Sequence, residues 1–270
     1  MSSQIERYGW RFGGDTAGIA RITSAHGDYF HIVCDEVQGE IIARRKKSAF
    51  LGADAIKPMT GDFVRFRHNP HGESFITEVL RRYSYFERRD PTARRKAQML
   101  AVNFDYLFIM MSAAAEFSRS RLERYLSLAE DVGEAAVLAV FTKCDLAEPA
   151  YAELSDGIRA LAISSKSGEG LDAVRELARP GKTVALIGAS GVGKSSLVNA
   201  LAGGEWMATQ EVQEWSGKGR HTTTSRELVM LPSGAMMLDT PGIREIGMVG
   251  EQDVELVKGA ASHRWRVKGE

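Results

Sequence analysis

Cysteine is scarce in this 270-residue chain, with only Cys34 and Cys144, and histidine occurs six times. Two thiols exclude a disulfide framework, and no Cys/His zinc pattern is recognisable, so both cysteines read as structural thiols. Long apolar runs are also missing. The stretch around Tyr106 to Ala115 is too short to span a bilayer, and the opening Met1-Ser-Ser-Gln-Ile-Glu-Arg7 has no apolar signal core. These absences lead to the expectation of a cytoplasmic protein without a membrane partner. Net charge is absent too, with 35 basic and 35 acidic residues. The balance hides an asymmetry: residues 1–100 hold 17 Lys/Arg against 12 Asp/Glu, leaving 18 against 23 for the rest.

With 44% hydrophobic and 26% charged residues, the chain suits a globular protein with one nucleotide-binding domain and a smaller module. From Gly18 to about Leu80, short runs rich in β-branched and aromatic residues alternate with turn signals: Asp28–Cys34, Gly39–Ala43, Asp62–Arg67 and Ser74–Leu80. Met59-Thr-Gly-Asp62 and Asn69-Pro-His-Gly72 are turn clusters. The spacing predicts a small closed β-barrel over residues 1–82, of OB type, with an SH3-like barrel as the alternative.

Residues 83–98 are charge-rich around Pro91 and read as an exposed basic linker. Strand and helix then alternate: Tyr106–Met111, a helix through Ser118–Asp131, Ala136–Phe141, a helix from Pro149, and Ala160–Ile163. Such alternation predicts an α/β domain with a mostly parallel sheet over residues 99–247, leaving 248–270 as a C-terminal remnant.

Gly188-Ala-Ser-Gly-Val-Gly-Lys-Ser195 fits the pattern G-x-x-x-x-G-K-S and stands between an apolar strand, Thr183–Ile187, and a helix beginning at Ser195-Ser196. Glycines let Gly188, Ala189, Ser190, Gly191, Val192 and Gly193 turn backbone N–H groups towards phosphates at a helix N-terminus. Lys194 supplies a point charge to the β and γ oxygens, and the Ser195 hydroxyl ligates magnesium. Asp239-Thr-Pro-Gly242 ends a second strand, so that Asp239 reaches magnesium through water and Gly242 donates its N–H to the γ-phosphate. Between them, Gly217-Lys-Gly-Arg-His221-Thr-Thr-Thr-Ser225 offers Thr224, or else Thr223, as the remaining metal ligand. Residues 203–221 read as a loop ordered by γ-phosphate and metal.

Base selection needs other groups. Thr142-Lys143-Cys144-Asp145 closes the strand Val137–Phe141, and Asp145, expected as a buried carboxylate, can accept two hydrogen bonds from guanine N1 and N2. Adenine would leave that carboxylate unpaired, a mismatch worth on the order of 10⁴-fold. Asn usually stands where Thr142 is, so the loss of its amide bridge to the phosphate loop is expected to weaken affinity and spare specificity. Ser164-Ser165-Lys166 presents a backbone N–H, of Ser165 or Lys166, to guanine O6. A P-loop kinase or ATPase would leave these last two motifs without a role.

The guanine-reading motifs precede the phosphate loop, the reverse of the ordinary order, so the nucleotide domain is circularly permuted. This order behind a basic barrel, together with Gly219-Arg-His-Thr-Thr-Thr224 and Asp239-Thr-Pro-Gly-Ile-Arg-Glu245, resembles the ribosome small-subunit-dependent GTPase A family (RsgA, YjeQ) over roughly residues 15–247. The resemblance implies an OB-fold, a permuted GTPase domain binding GTP or GDP with Mg²⁺, and a C-terminal zinc domain. After Glu245 only twenty-five residues follow, with His263 and no cysteine, so no zinc ligand carries over and the sequence reads as lacking that third part. The implied function is GTP hydrolysis in late maturation of the small (30S) ribosomal subunit, slow alone and stimulated by the subunit, with release on hydrolysis and a monomeric state. The alternative is a nucleotide-gated ribosome-binding protein with impaired activity. Ile243 occupies the place of a water-orienting Gln, which leaves His221 as the catalytic candidate beside Lys194. Arg44-Arg-Lys-Lys47 and Arg81 to Lys96, with Tyr29, Phe30, Tyr83, Tyr85 and Phe86 for stacking, are the rRNA-binding candidates.

Overall fold

The computed structural model describes residues 2–50, 56–88, 98–115, 117–151, 154, 157–205 and 226–239. A capping-box turn of helix α1 (Gln4–Arg7) precedes five strands, β1 (Ile19–His26), β2 (Tyr29–Cys34), β3 (Glu40–Arg45), β4 (Phe63–Arg67) and β5 (Ser74–Val79). β4 shows why this segment forms strands: Phe63, Val64 and Phe66 are buried while Arg65 and Arg67 are exposed, an alternation of period two that faces one side to a core. Ile22, Phe30, Ile32, Val64, Phe66 and Ile76 fill that core. The strands pair in the order β1-β2-β3-β5-β4, and β4 returns to β1. Every pairing is antiparallel except β3 with β5, which run parallel. A closed five-stranded barrel of this kind is the OB-type solution.

Beyond the barrel come β6 (Tyr85–Arg88), β7 (Gln98–Val102), β8 (Tyr106–Ser112), α2 (Arg119–Leu128), β9 (Ala136–Thr142), β10 (Ala160–Ala162), α3 (Leu171–Leu177), β11 (Thr183–Ile187), α4 (Lys194–Ala202), β12 (Glu227–Met230) and β13 (Met236–Asp239). β10, β9, β8, β11 and β13 lie side by side in that order and all run parallel, with β12 antiparallel at the end. β11 is buried along its whole length, as a central parallel strand must be when helices cover both faces. Successive residues serve opposite layers. Leu107, Ile109, Ala185 and Ile187 pack with Leu122 and Tyr125 of α2, whereas Phe108, Met110, Val184 and Leu186 pack with α3 and α4 through Leu171, Val174, Leu197 and Val198. No helix among the described residues is long and apolar enough to cross a membrane.

One expectation needs correction. Residues 83–88 are not an exposed linker: Tyr83, Ser84 and Phe86 are buried, and β6 pairs with β7. The arginines that gave the segment its charge flank the buried Tyr83 and Phe86, so net composition concealed the inward-facing positions. Most of the helix expected from Pro149 lies outside the described residues, which omit 152, 153, 155 and 156; of those described, Tyr151 N–H bonds to Pro149 O and Leu154 N–H to Tyr151 O.

The barrel and the α/β sheet are continuous, because β1 pairs with β12 at Ser24 and Glu227. Asn103, held at φ 53°, is the hub of this junction. Its side chain receives Tyr83 N–H at 3.1 Å and donates to Gly61 O at 3.1 Å, and its carbonyl accepts from Arg21 at 2.6 Å and from the Tyr83 hydroxyl at 2.8 Å. Arg21 is fully buried, and burial lowers its pKa from the ordinary value.

Candidate functional site

In open sheets of parallel strands, ligands sit outside the carboxyl ends of the strands. Thr142–Asp145 follow β9, Ser164–Lys166 follow β10, Gly188–Ser195 follow β11, and Asp239 closes β13. The fold thus gathers at one edge motifs that lie 94 residues apart from Asp145 to Asp239.

The phosphate loop is shaped by three glycines at positive φ, Gly188 at 150°, Gly191 at 72° and Gly193 at 112°. At Gly188 the reason is also spatial, since a Cβ there would meet Met110 O of β8 at 2.6 Å. α4 then begins with Gly193 as N-cap and no side chain capping it, which leaves its first N–H groups for a ligand. Lys194 Nζ donates to Gly188 O at 2.8 Å and Ala189 O at 3.0 Å, folded over the mouth of its own loop. Ser195 is half-buried at the first turn of α4, and Ser190 and Ser196 are exposed.

Thr142 is buried, and its hydroxyl lies 2.5 Å from Val192 O and 3.2 Å from Met111 O. The bridge to the phosphate loop that was expected to be lost is therefore present, carried by a hydroxyl in place of an amide. Lys143 adopts φ 59°, a left-handed conformation rare for a residue with a side chain. That turn ends the strand sharply, brings Cys144 N–H to Ile163 O at 3.2 Å, and places Asp145 beside the next motif. Ser164 Oγ donates to Asp145 Oδ1 at 2.7 Å while accepting from Lys166 N–H at 3.3 Å and Ser167 N–H at 3.1 Å. With Lys166 N–H so engaged, the N–H of Ser165 is the better candidate for guanine O6. Asp145 is exposed rather than buried, because its carboxylate stands at the rim beyond the strand end.

The direct bond from Ser164 to Asp145 is a positioning role that motif reading missed. The two residues are 19 positions apart, and only the pairing of β9 with β10 makes them neighbours. His221, Thr223, Thr224 and Gly242 lie outside the described residues, as do 206–225 as a whole. Among the described residues, no three His, Cys, Asp or Glu side chains converge to hold a metal. Of the residues expected at magnesium, Ser195 stands in the first turn of α4 and Asp239 is the last residue of β13, and hydroxyl and carboxylate oxygens are the ligand types that ion takes.

The rRNA-binding candidates are sorted differently from expectation. Tyr29 is 48% exposed and Arg44 lies 5.0 Å over its ring, but Phe30, Tyr83 and Phe86 are buried in the cores. Tyr85 is half-buried and donates its hydroxyl to Asp131. Arg44 pairs with Glu73 at 3.0 Å, Arg45 with Asp28 at 2.9 Å, and Arg82 with the buried Asp62 at 2.7 Å.

Residues 79–249 match the model of the RsgA GTPase family. The chain is 37% identical over 240 residues to "Small ribosomal subunit biogenesis GTPase RsgA 1" of Listeria innocua, covering 86% of this chain and 67% of that protein. It is 38% identical over 241 residues to "Small ribosomal subunit biogenesis GTPase RsgA" of Leptospira interrogans, covering 86% and 65%. The chain thus spans about two thirds of the length of these relatives. Its fold is similar to the crystal structure of YjeQ from Thermotoga maritima, with TM-score 0.60, 24% identity, and coverage of 84% of this chain and 76% of that one. YloQ, described as a circularly permuted GTPase, is similar with TM-score 0.55, 22% identity, and coverage of 87% and 74%.

Proposed function

The chain belongs to the RsgA GTPase family, and from that premise we propose that it hydrolyses GTP in late maturation of the small ribosomal subunit and leaves the subunit on hydrolysis. The observation that carries the reading is the convergence of the phosphate loop and both guanine motifs at the carboxyl ends of β9, β10 and β11. Asp145 and Ser165 N–H select guanine, with Ser164 and Lys143 fixing the carboxylate, and the loop N–H groups with Lys194 hold the phosphates. Ser195, Asp239 and Thr224 or Thr223 would hold Mg²⁺. When bound, that ion neutralises charge on the β and γ oxygens. Gly242 donates to the γ-phosphate, and His221 orients the attacking water.

Turnover by the chain alone is slow, since positioning of that water awaits the partner. The protein acts as a cytoplasmic monomer. Its barrel contacts rRNA, a reading supported by the OB topology, by exposed Tyr29 and by the basic excess of residues 1–100.

The decisive measurement is the GTPase rate with and without purified small subunits. Stimulation by the subunit is expected; nucleotide-dependent binding with no stimulation would select the nucleotide-gated binding protein instead. His221→Ala is expected to spare GTP binding and to reduce subunit-stimulated turnover. Wild-type stimulated turnover in that variant would remove His221 from the mechanism.

A further inference from the structure

Where the barrel meets the α/β sheet there is a cleft of about 400 Å³, lined by Gly27 of the β1–β2 turn and Phe30 of β2, by Met59 and Thr60, and by Gln98 and Arg226. Arg226 is the unusual member. Its main chain is fixed, because Thr60 Oγ1 donates to Arg226 O at 3.0 Å and the next residue, Glu227, pairs with Ser24 of β1. Its guanidinium is satisfied incompletely. Nε is buried with no hydrogen-bond partner, and the side chain makes no ion pair among the described residues. Burial lowers its pKa, with no carboxylate acting against that effect. Arg44, Arg45 and Arg82 are each answered by an acidic side chain. A partly desolvated cation facing a polar cleft is costly until an anion joins it.

We propose that this cleft seats a backbone phosphate of single-stranded RNA crossing the barrel at the β1–β2 turn, with Arg226 as its charge partner. A guanidinium fork matches a phosphate in geometry as well as charge. The turn residues of an OB barrel are where oligonucleotides pass, and exposed Tyr29, with Arg44 over its ring, opens the strand that follows this turn. The assignment rests on the reading that the barrel carries RNA. It adds that a residue of the GTPase sheet, at the start of β12, completes the RNA site.

The test is binding of an oligouridylate to the full chain in GDP, measured by fluorescence anisotropy across salt concentrations for wild type, Arg226→Gln and Arg226→Lys. Arg226→Gln is expected to weaken binding about tenfold and to lower the log–log salt slope by roughly 0.7, the value of one contact on a single strand. Arg226→Lys should keep the slope. Wild-type affinity and slope in Arg226→Gln, with wild type binding normally, would overturn this site and leave the barrel reading intact. No binding by wild type at any salt would remove both. Independently of any variant folding, oligouridylate should protect Arg226 of the wild-type chain from phenylglyoxal; unprotected modification while RNA is bound overturns the site.

Discussion

Single side chains at the site show why some substitutions are tolerated. Thr142 stands where an amide is usual, yet its hydroxyl reaches Val192 O, so motif and phosphate loop remain tied. Thr142→Ala removes that tie, and GDP affinity should fall about fivefold, near 1 kcal/mol, in isothermal titration. An unchanged Kd would show the bond to be incidental. Asp62 is buried against Arg82, and burial raises its pKa above the ordinary carboxylate value. A carboxyl whose folded pKa is raised binds its proton more tightly when folded, so its penalty is largest above that pKa and fades as pH falls. Arg82→Ala removes the compensation and should cost roughly 3–5 kcal/mol at neutral pH. Urea unfolding at several pH values should show the deficit shrinking on acidification. The Cys34 thiol is buried and pushed up to about 11 by that burial. At pH 8 iodoacetamide should leave it unmodified until the protein is unfolded.

Elements differ in how plainly sequence announced them. The phosphate loop was legible because its glycines and Lys194 obey a local rule, and β11 because five apolar or β-branched residues precede it. The barrel strands followed from alternation, but whether the barrel was of OB or SH3 type depended on the parallel pairing of β3 with β5, which no local pattern encodes. β6 escaped for the opposite reason: the charge around it outweighed its one buried aromatic, Phe86. The link of Ser164 to Asp145 was invisible because it is a property of strand order. At the loop, close approach to β8 makes Gly188 a sharp test. Gly188→Ala sets a Cβ against Met110 O at 2.6 Å, so it should lower both Tm and GDP affinity, whereas a wild-type Tm would mean the loop relaxes without cost.

Across the whole molecule, the GTPase sheet and the barrel share one hydrogen-bonded surface, and Asn103 and Arg21 lock the seam. GDP binding should therefore slow hydrogen exchange of β1 amides by a factor similar to that seen in β11. Slowing confined to β11 would mean the two parts open separately. The pairing of β1 with β12 has another meaning. β12 ends the row of α/β strands, and a sheet edge left bare is a template for pairing with other chains. By pairing Ser24 of its barrel with Glu227 at the start of β12, the protein occupies part of that margin with its own chain, where another molecule's strand would otherwise dock.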